Sequence, residues 1–153
     1  MTRSFLFVLA LVALLLTGCG SSPKEVSKAQ YEQLLQRLGN ELVDSGSQIG
    51  QHIDTATFNQ DISNFQDELR DASKELNGVE PPPNAQELND RLADSFDELA
   101  DNLEPVKDAR RQSIVQAGKA FAVARTSAAA REGRSVVRQL SRRGYAVGQM
   151  VGL

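Results

Sequence analysis

The 153 residues carry 17 basic and 20 acidic side chains, a net charge of −3, with one Cys, one His and no Trp. That is one domain's worth of chain, and about 135 residues remain once an N-terminal targeting segment is set aside, so a second independently folding domain is not expected. A single Cys and a single His exclude a disulfide framework, a Cys/His zinc cage and, unless His52 serves, a His-activated nucleophile. Net acidity argues against nucleic-acid binding on the whole-chain average.

Arg3 supplies a positive start, Phe5 to Leu16 is an unbroken apolar run of 12 residues, and small residues follow. This is the layout of an export signal. As a helix the run would reach about 18 Å against a hydrocarbon core of about 30 Å, too short for a permanent span. Leu16-Thr17-Gly18-Cys19 then resembles the lipobox of bacterial lipoproteins. The resemblance covers the first 19 or so residues. It implies cleavage after Gly18, diacylation of the Cys19 sulfur and attachment to the outer side of a cell membrane, the outer membrane being an option where the cell has two. Two or three acyl chains anchor stably, at about 0.8 kcal/mol per buried CH₂, where one chain is marginal. With Cys19 consumed, no thiol is left for catalysis or redox chemistry.

The expected organisation is a signal peptide at 1–18, a tether at 19–23, a helical domain at 24–143 and a flexible tail at 144–153. Ser22-Pro23-Lys24-Glu25 reads as a helix start with Pro at its first position. Tyr31, Leu35, Leu38 and Leu42 recur at helical spacing with Leu34 alongside, and Ile49 and Ile53 extend the stripe past Ser45-Gly46-Ser47. A break or kink is expected between Asp44 and Thr57. Thr57 with Gln60 reads as a capping box, and Phe58, Ile62, Phe65, Leu69, Ala72 and Leu76 follow at 4, 3, 4, 3 and 4.

Asn77-Gly78 and Pro81-Pro82-Pro83 stop that helix, and Asn84 with Glu87 reads as the capping box of an antiparallel partner. The partner's stripe is Leu88, Leu92, Leu99 and Leu103 with Ser95 and Phe96 at its middle turn, ended or kinked by Pro105. A fourth helix is expected from about Val106 to Arg143. No segment alternates like a strand, so the expected fold is all-α, a small antiparallel bundle of three to four helices with a flexible lipidated N-terminus. Leu, Ile, Val and Phe make up about 22 % of the mature chain, close to the level of about 20 % below which charged chains stay disordered, so the core is thin. Ala117, Ala120, Ala124 and Ala128 point to close helix approach in place of a large cavity.

Charge is segregated. Residues 25–104 hold 18 acids and five bases, whereas residues 105–153 hold ten bases and two acids. Asp90, Asp94, Asp97 and Asp101 form one helical stripe, and Arg131, Arg134, Arg138 and Arg142, joined by Arg143, form another. One reading packs the basic helix along the acidic hairpin so that the stripes compensate. A second rests Arg131 to Arg143 on anionic lipid headgroups, with Val136, Val137, Leu140 and Tyr145 between the arginines, and a third gives them a polyanionic envelope partner. Gly144, Gly148 and Gly152 recur every four residues, a weak helix-packing signal in so short an apolar stretch.

Catalytic and metal chemistry are not expected. Glu-x-x-His is absent, since Ile49 stands three residues before His52. Asp67, Glu68, Asp71 and Glu75 read as a solvated face with loose divalent-cation binding as a minor option, and no phosphate loop or nucleophile elbow appears. No cofactor, nucleic acid or small-molecule ligand is expected. The expected partners are the membrane, through the acyl chains on Cys19, and an envelope protein.

Overall fold

The computed structural model describes residues 23–51 and 56–152. Cys19, its motif Leu16, Thr17 and Gly18, and His52 lie outside the described residues. The chain runs β1 (Lys24–Glu25), α1 (Lys28–Gln51), α2 (Phe58–Asn77), β2 (Val79–Glu80), α3 (Gln86–Asn102), α4 (Glu104–Gln112), α5 (Ile114–Arg125), α6 (Ala128–Arg142) and a 3-10 turn at Gly148–Gly152. The all-α expectation holds, with one addition: β1 pairs with β2 in parallel, Lys24 opposite Val79 and Glu25 opposite Glu80.

The core follows the predicted stripes. Tyr31, Leu35, Leu38, Leu42 and Ile49 of α1 are buried against Phe58, Ile62, Phe65, Leu69, Ala72 and Leu76 of α2. In α3, Leu88, Leu92 and Phe96 are buried, with Ala93 and Ala100 beside them. Helices α1, α2, α3 and α6 form the bundle, α2 on α3 and α3 on α6, and the C-terminal segment closes the gap between α6 and α1. Polar staples lock α2 to α3. Asn89 Nδ2 donates to Leu76 O at 2.9 Å and Gln66 Nε2 to Ala100 O at 2.8 Å, each reaching a carbonyl in the last turn of the neighbouring helix, where intrahelical donors run out.

Three expectations about element ends are corrected. Helix α1 starts at Lys28, because Ser27 and Gln30 make the capping box: Ser27 N donates to Gln30 Oε1 at 2.9 Å, and Gln30 N to Ser27 Oγ at 3.3 Å. Residues 24–25, expected as helix, are held extended by the pairing with β2. The break expected between Asp44 and Thr57 comes after Gln51, where α1 ends, and not at Ser45-Gly46-Ser47, which stays helical because burial of Leu42 and Ile49 outweighs the weak local propensity. Neither Thr57 nor Ala85, the residues preceding α2 and α3, makes a side-chain cap hydrogen bond. Asn84 instead accepts a hydrogen bond from the Tyr145 hydroxyl.

The expected fourth helix is three helices. At Ser113 the backbone is extended, and its side chain accepts from Gln116 N; Ser127 is likewise extended and accepts from Ala130 N. Each serine offers the backbone a better partner than helix continuation does, which is how N-caps divide a helical run. The hairpin of α4 and α5 thereby becomes an arm, touching the bundle mainly through α2 and α3.

The expected flexible tail is packed as far as Met150. Tyr145, Val147 and Met150 are buried, and Tyr145 meets Tyr31 edge to face at 5.7 Å between centroids. The glycines there are turn residues: Gly144 (φ +81°) ends α6, with Tyr145 N donating to Leu140 O, and Gly148 (φ +56°) lies against Gln36. Their four-residue spacing is not a helix face.

Candidate functional site

Helix α6 buries Val136, Val137 and Leu140 and places Gly133 against Ser95 of α3, where an added Cβ would come within 3.0 Å of Ser95 Oγ. This close approach fixes which way the arginines point. Arg131, Arg138, Arg142 and Arg143 are exposed and Arg134 is half-buried.

The two charged stripes do not meet as expected. Across the α3–α6 seam the ion pair is Arg91 with Glu132, at 2.6 Å, the reverse of the expected polarity. Asp101 pairs with Arg70 of α2 at 3.1 Å, and Asp97 accepts from the Ser73 hydroxyl at 2.8 Å. The basic helix does pack along α3 of the acidic hairpin, but the contacts that join them are Gly133 on Ser95 and Glu132 with Arg91, and none of the ion pairs seen joins the arginine stripe to the aspartate stripe among the described residues. Lys107 and Arg111 of α4 pair locally with Glu104 and Asp108. Arg138 and Arg142 make no ion pair or hydrogen bond with the described residues.

The five arginines divide between two ends of the bundle. Lys28 Nζ donates to Gly144 O at 2.8 Å, so the start of α1 lies beside the end of α6, and Lys24 just before it donates from its N to Gly78 O at the end of α2. Arg142 and Arg143 are at this end, the latter donating to Asn84 O, and Arg138 is one turn away. Arg131 lies 11 residues from Arg142, about 16 Å along the helix. There Arg131 donates to Thr126 O and Arg134 Nη2 to Arg125 O at 3.2 Å, binding the start of α6 to the end of α5. Glu25 and Glu80 are exposed beside the first described residues, so the basic character there belongs to the last turns of α6 and not to the whole end.

The acidic side of the molecule is organised on α1 and α2. Arg37 bridges Glu41 and Glu75, and Glu68 between them has its carboxyl held above the usual range, by partial burial first and then by Glu41, Asp71 and Glu75. Asp67, Asp71 and Glu75 are exposed, as a solvated face requires. No group of three or more His, Cys, Asp or Glu able to hold a metal occurs among the described residues, and no described helix is long and apolar enough to cross a membrane.

Two features escaped the sequence reading. Helix α5 exposes Ile114, Val115 and Val123 at 43 %, 66 % and 69 %. Of the alanines expected to allow close helix approach, Ala117 and Ala124 of α5 are buried, while Ala128, the first residue of α6, is exposed. Because the arm leans on the bundle only partly, a cleft of about 330 Å³ remains between α5 and α1, lined among others by Leu42, Gly46, Phe65, Phe121, Arg125 and Arg134. The one local signal for this arrangement was Ser113-Ile114-Val115-Gln116, a capping-box pattern that splits the basic segment. No family model, curated protein or solved structure matches this chain.

Proposed function

We propose that the protein is a lipid-anchored, non-catalytic module of the bacterial cell envelope whose basic helix α6 engages an anionic membrane surface. The anchor is Cys19, acylated after cleavage behind Gly18, on the outward side of the membrane. The observation that carries the surface reading is the state of Arg138 and Arg142, which are exposed and lack ion-pair partners among the described residues, at the end of the bundle where the tether enters. A basic side chain beside an anionic surface contributes about 1 kcal/mol, and the acyl chains supply the proximity that makes so small a contribution effective. Anionic lipid and an anionic envelope polymer present the same chemistry to α6; lipid is favoured because the tether, five residues long, holds α6 near the bilayer.

The anchor is tested by metabolic labelling with a radioactive fatty acid: label should enter the wild-type protein and be absent from Cys19→Ser. The surface contact is tested by flotation of the Cys19→Ser mature chain with vesicles. Binding to anionic vesicles, weakened by raised salt, supports it, and equal binding to neutral vesicles contradicts it. The exposed Ile114, Val115 and Val123 favour a second reading, an envelope protein docked on the α4–α5 arm. Crosslinking in membranes distinguishes it, since a partner bound there should be lost from the Val115→Asp, Val123→Asp double variant.

A further inference from the structure

Helix α5 is apolar around its whole circumference, and only one side of it is covered. Of its residues only Gln116, Lys119 and Arg125 are polar. Ala117 and Ala124 are buried and Ala120 and Phe121 half-buried, which defines the inner side. Val115, Lys119, Ala122 and Val123 stand at the spacing of one helix face, and all four are exposed, with the exposed Ile114 bordering them. A surface helix ordinarily turns its polar side to water; here small alanines face the protein and the larger β-branched side chains face outward.

Charge sets this face apart from the rest of the molecule. From Ala109 to Arg131 the chain holds five basic residues and no acid, in a protein whose net charge is −3. Lys119 lies within the apolar face and Arg125 at its C-terminal end. Arg131 donates to Thr126 O and Arg134 Nη2 to Arg125 O, so the arginine stripe of α6 begins against the end of α5. A flat surface laid along that stripe from Arg142 to Arg131 arrives at α5.

We propose that α5 is an interfacial membrane helix, which lays Val115, Ala122 and Val123 among the headgroups and upper acyl chains of an anionic bilayer while Lys119 and Arg125 reach back to the phosphates. The proposal rests on the membrane reading above only for what brings α5 to lipid in the cell. At about 18 Å the helix is too short to cross a hydrocarbon core of about 30 Å, so it lies in the plane of the interface. Long basic side chains suit that position, since their stems rest on apolar surface while their charges stay at the phosphates. The outer half of so short a helix covers on the order of 200 Å², against about 800 Å² per partner in a stable protein interface. A protein docked here would have to grip neighbouring surface as well, whereas a bilayer needs α5 alone. Two copies packed arm to arm would set like charges against each other, which disfavours self-association.

The chain has no Trp, so one can be introduced as a reporter. Val115→Trp places it on the outer face of α5, and Asp71→Trp on the exposed acidic side of α2. Each mature chain is coupled through Cys19, its single thiol, to a maleimide-bearing lipid in vesicles of equal parts phosphatidylglycerol and brominated phosphatidylcholine. Emission from Val115→Trp should shift to the blue and be quenched at least about twofold more than that from Asp71→Trp, as a helix lying about 5–10 Å deep requires. Val123 is exposed, so adding Val123→Asp should leave melting unchanged and abolish both the shift and the quenching. Quenching should also fall in vesicles of brominated phosphatidylcholine alone. Emission from Val115→Trp no more quenched than that from Asp71→Trp overturns the proposal, as does quenching that survives Val123→Asp or is equal without phosphatidylglycerol. Unquenched emission together with loss of a crosslinked envelope protein from the Val115→Asp, Val123→Asp double variant would assign the face to a protein instead. Because the coupling supplies attachment, the result depends neither on acylation of Cys19 in the cell nor on Arg138 and Arg142, and either reading can fail without the other.

Discussion

Met150 stands where a side chain on Gly39 would be. A Cβ added to Gly39 would come within 2.8 Å of Met150 Cγ and 3.0 Å of its backbone nitrogen, so the middle of α1 is shaped to receive the C-terminal segment. Gly39→Ala should therefore destabilise the protein even though Ala is the better helix former by about 1 kcal/mol. Met150→Ala, which empties a fully buried site, should cost about 2 kcal/mol. Urea unfolding measures both, and a Gly39→Ala variant more stable than wild type would show that the segment is not seated there.

Arg91 and Glu132 join α3 to α6, yet both are substantially exposed, so Glu132→Gln should cost no more than about 1 kcal/mol. The packing beneath them matters more. Gly133→Val would drive a branched side chain into Ser95 of α3 and should cost at least about 2 kcal/mol, read as a lowered urea midpoint with an unchanged slope.

The Tyr31 hydroxyl is buried without a hydrogen-bond partner among the described residues, while its ring packs on Tyr145. Burial, then the Tyr145 phenol and the Asp90 carboxylate, raise its pKa above the usual tyrosine value. Tyr31→Phe keeps the ring and removes the unpartnered oxygen, so stability should be unchanged or rise by about 1 kcal/mol. A loss above about 1 kcal/mol would reveal a partner for that hydroxyl.

Acid should loosen the C-terminal segment. Glu32 Oε1 accepts from Lys28 Nζ at 2.7 Å and from Ala146 N at 3.1 Å, and these bonds, Lys28 foremost, hold its carboxyl below the usual value. A depressed carboxyl stabilises the fold above its unfolded pKa, about 4.3, and that contribution is lost as pH falls through the folded value. Amide exchange at Ala146 and Val147 should accelerate below about pH 4 in wild type, and Glu32→Gln should show the fast exchange already at pH 7.

The bundle was legible in the sequence wherever burial imposes a period. Phe58 to Leu76 and Leu88 to Phe96 show their buried faces in spacings of three and four, because a helix face against a core tolerates few polar residues. The ends were less legible. Asn84 has the side chain of an N-cap, but a hydroxyl 61 residues away in sequence takes it, and no local pattern reveals that competitor. The arginine spacing was correct, and its division between two ends follows only from where Ser113 and Ser127 break the chain and where Gly144 turns it back. The cleft was invisible for a related reason: it is space left between α1 and an arm whose angle no residue pattern encodes.

On the proposed reading, the Arg138 and Arg142 side chains meet an anionic surface and hold no part of the fold, which the last turns of α6 support through Leu140 instead. The most direct measurement compares the Arg138→Glu, Arg142→Glu double variant with wild type, in vesicle binding and in thermal melting. The double variant should melt within about 0.5 kcal/mol of wild type and bind anionic vesicles at least about thirtyfold less tightly, the loss expected from two surface-bound arginines. A destabilised variant, or one that binds anionic vesicles as wild type does, would contradict it.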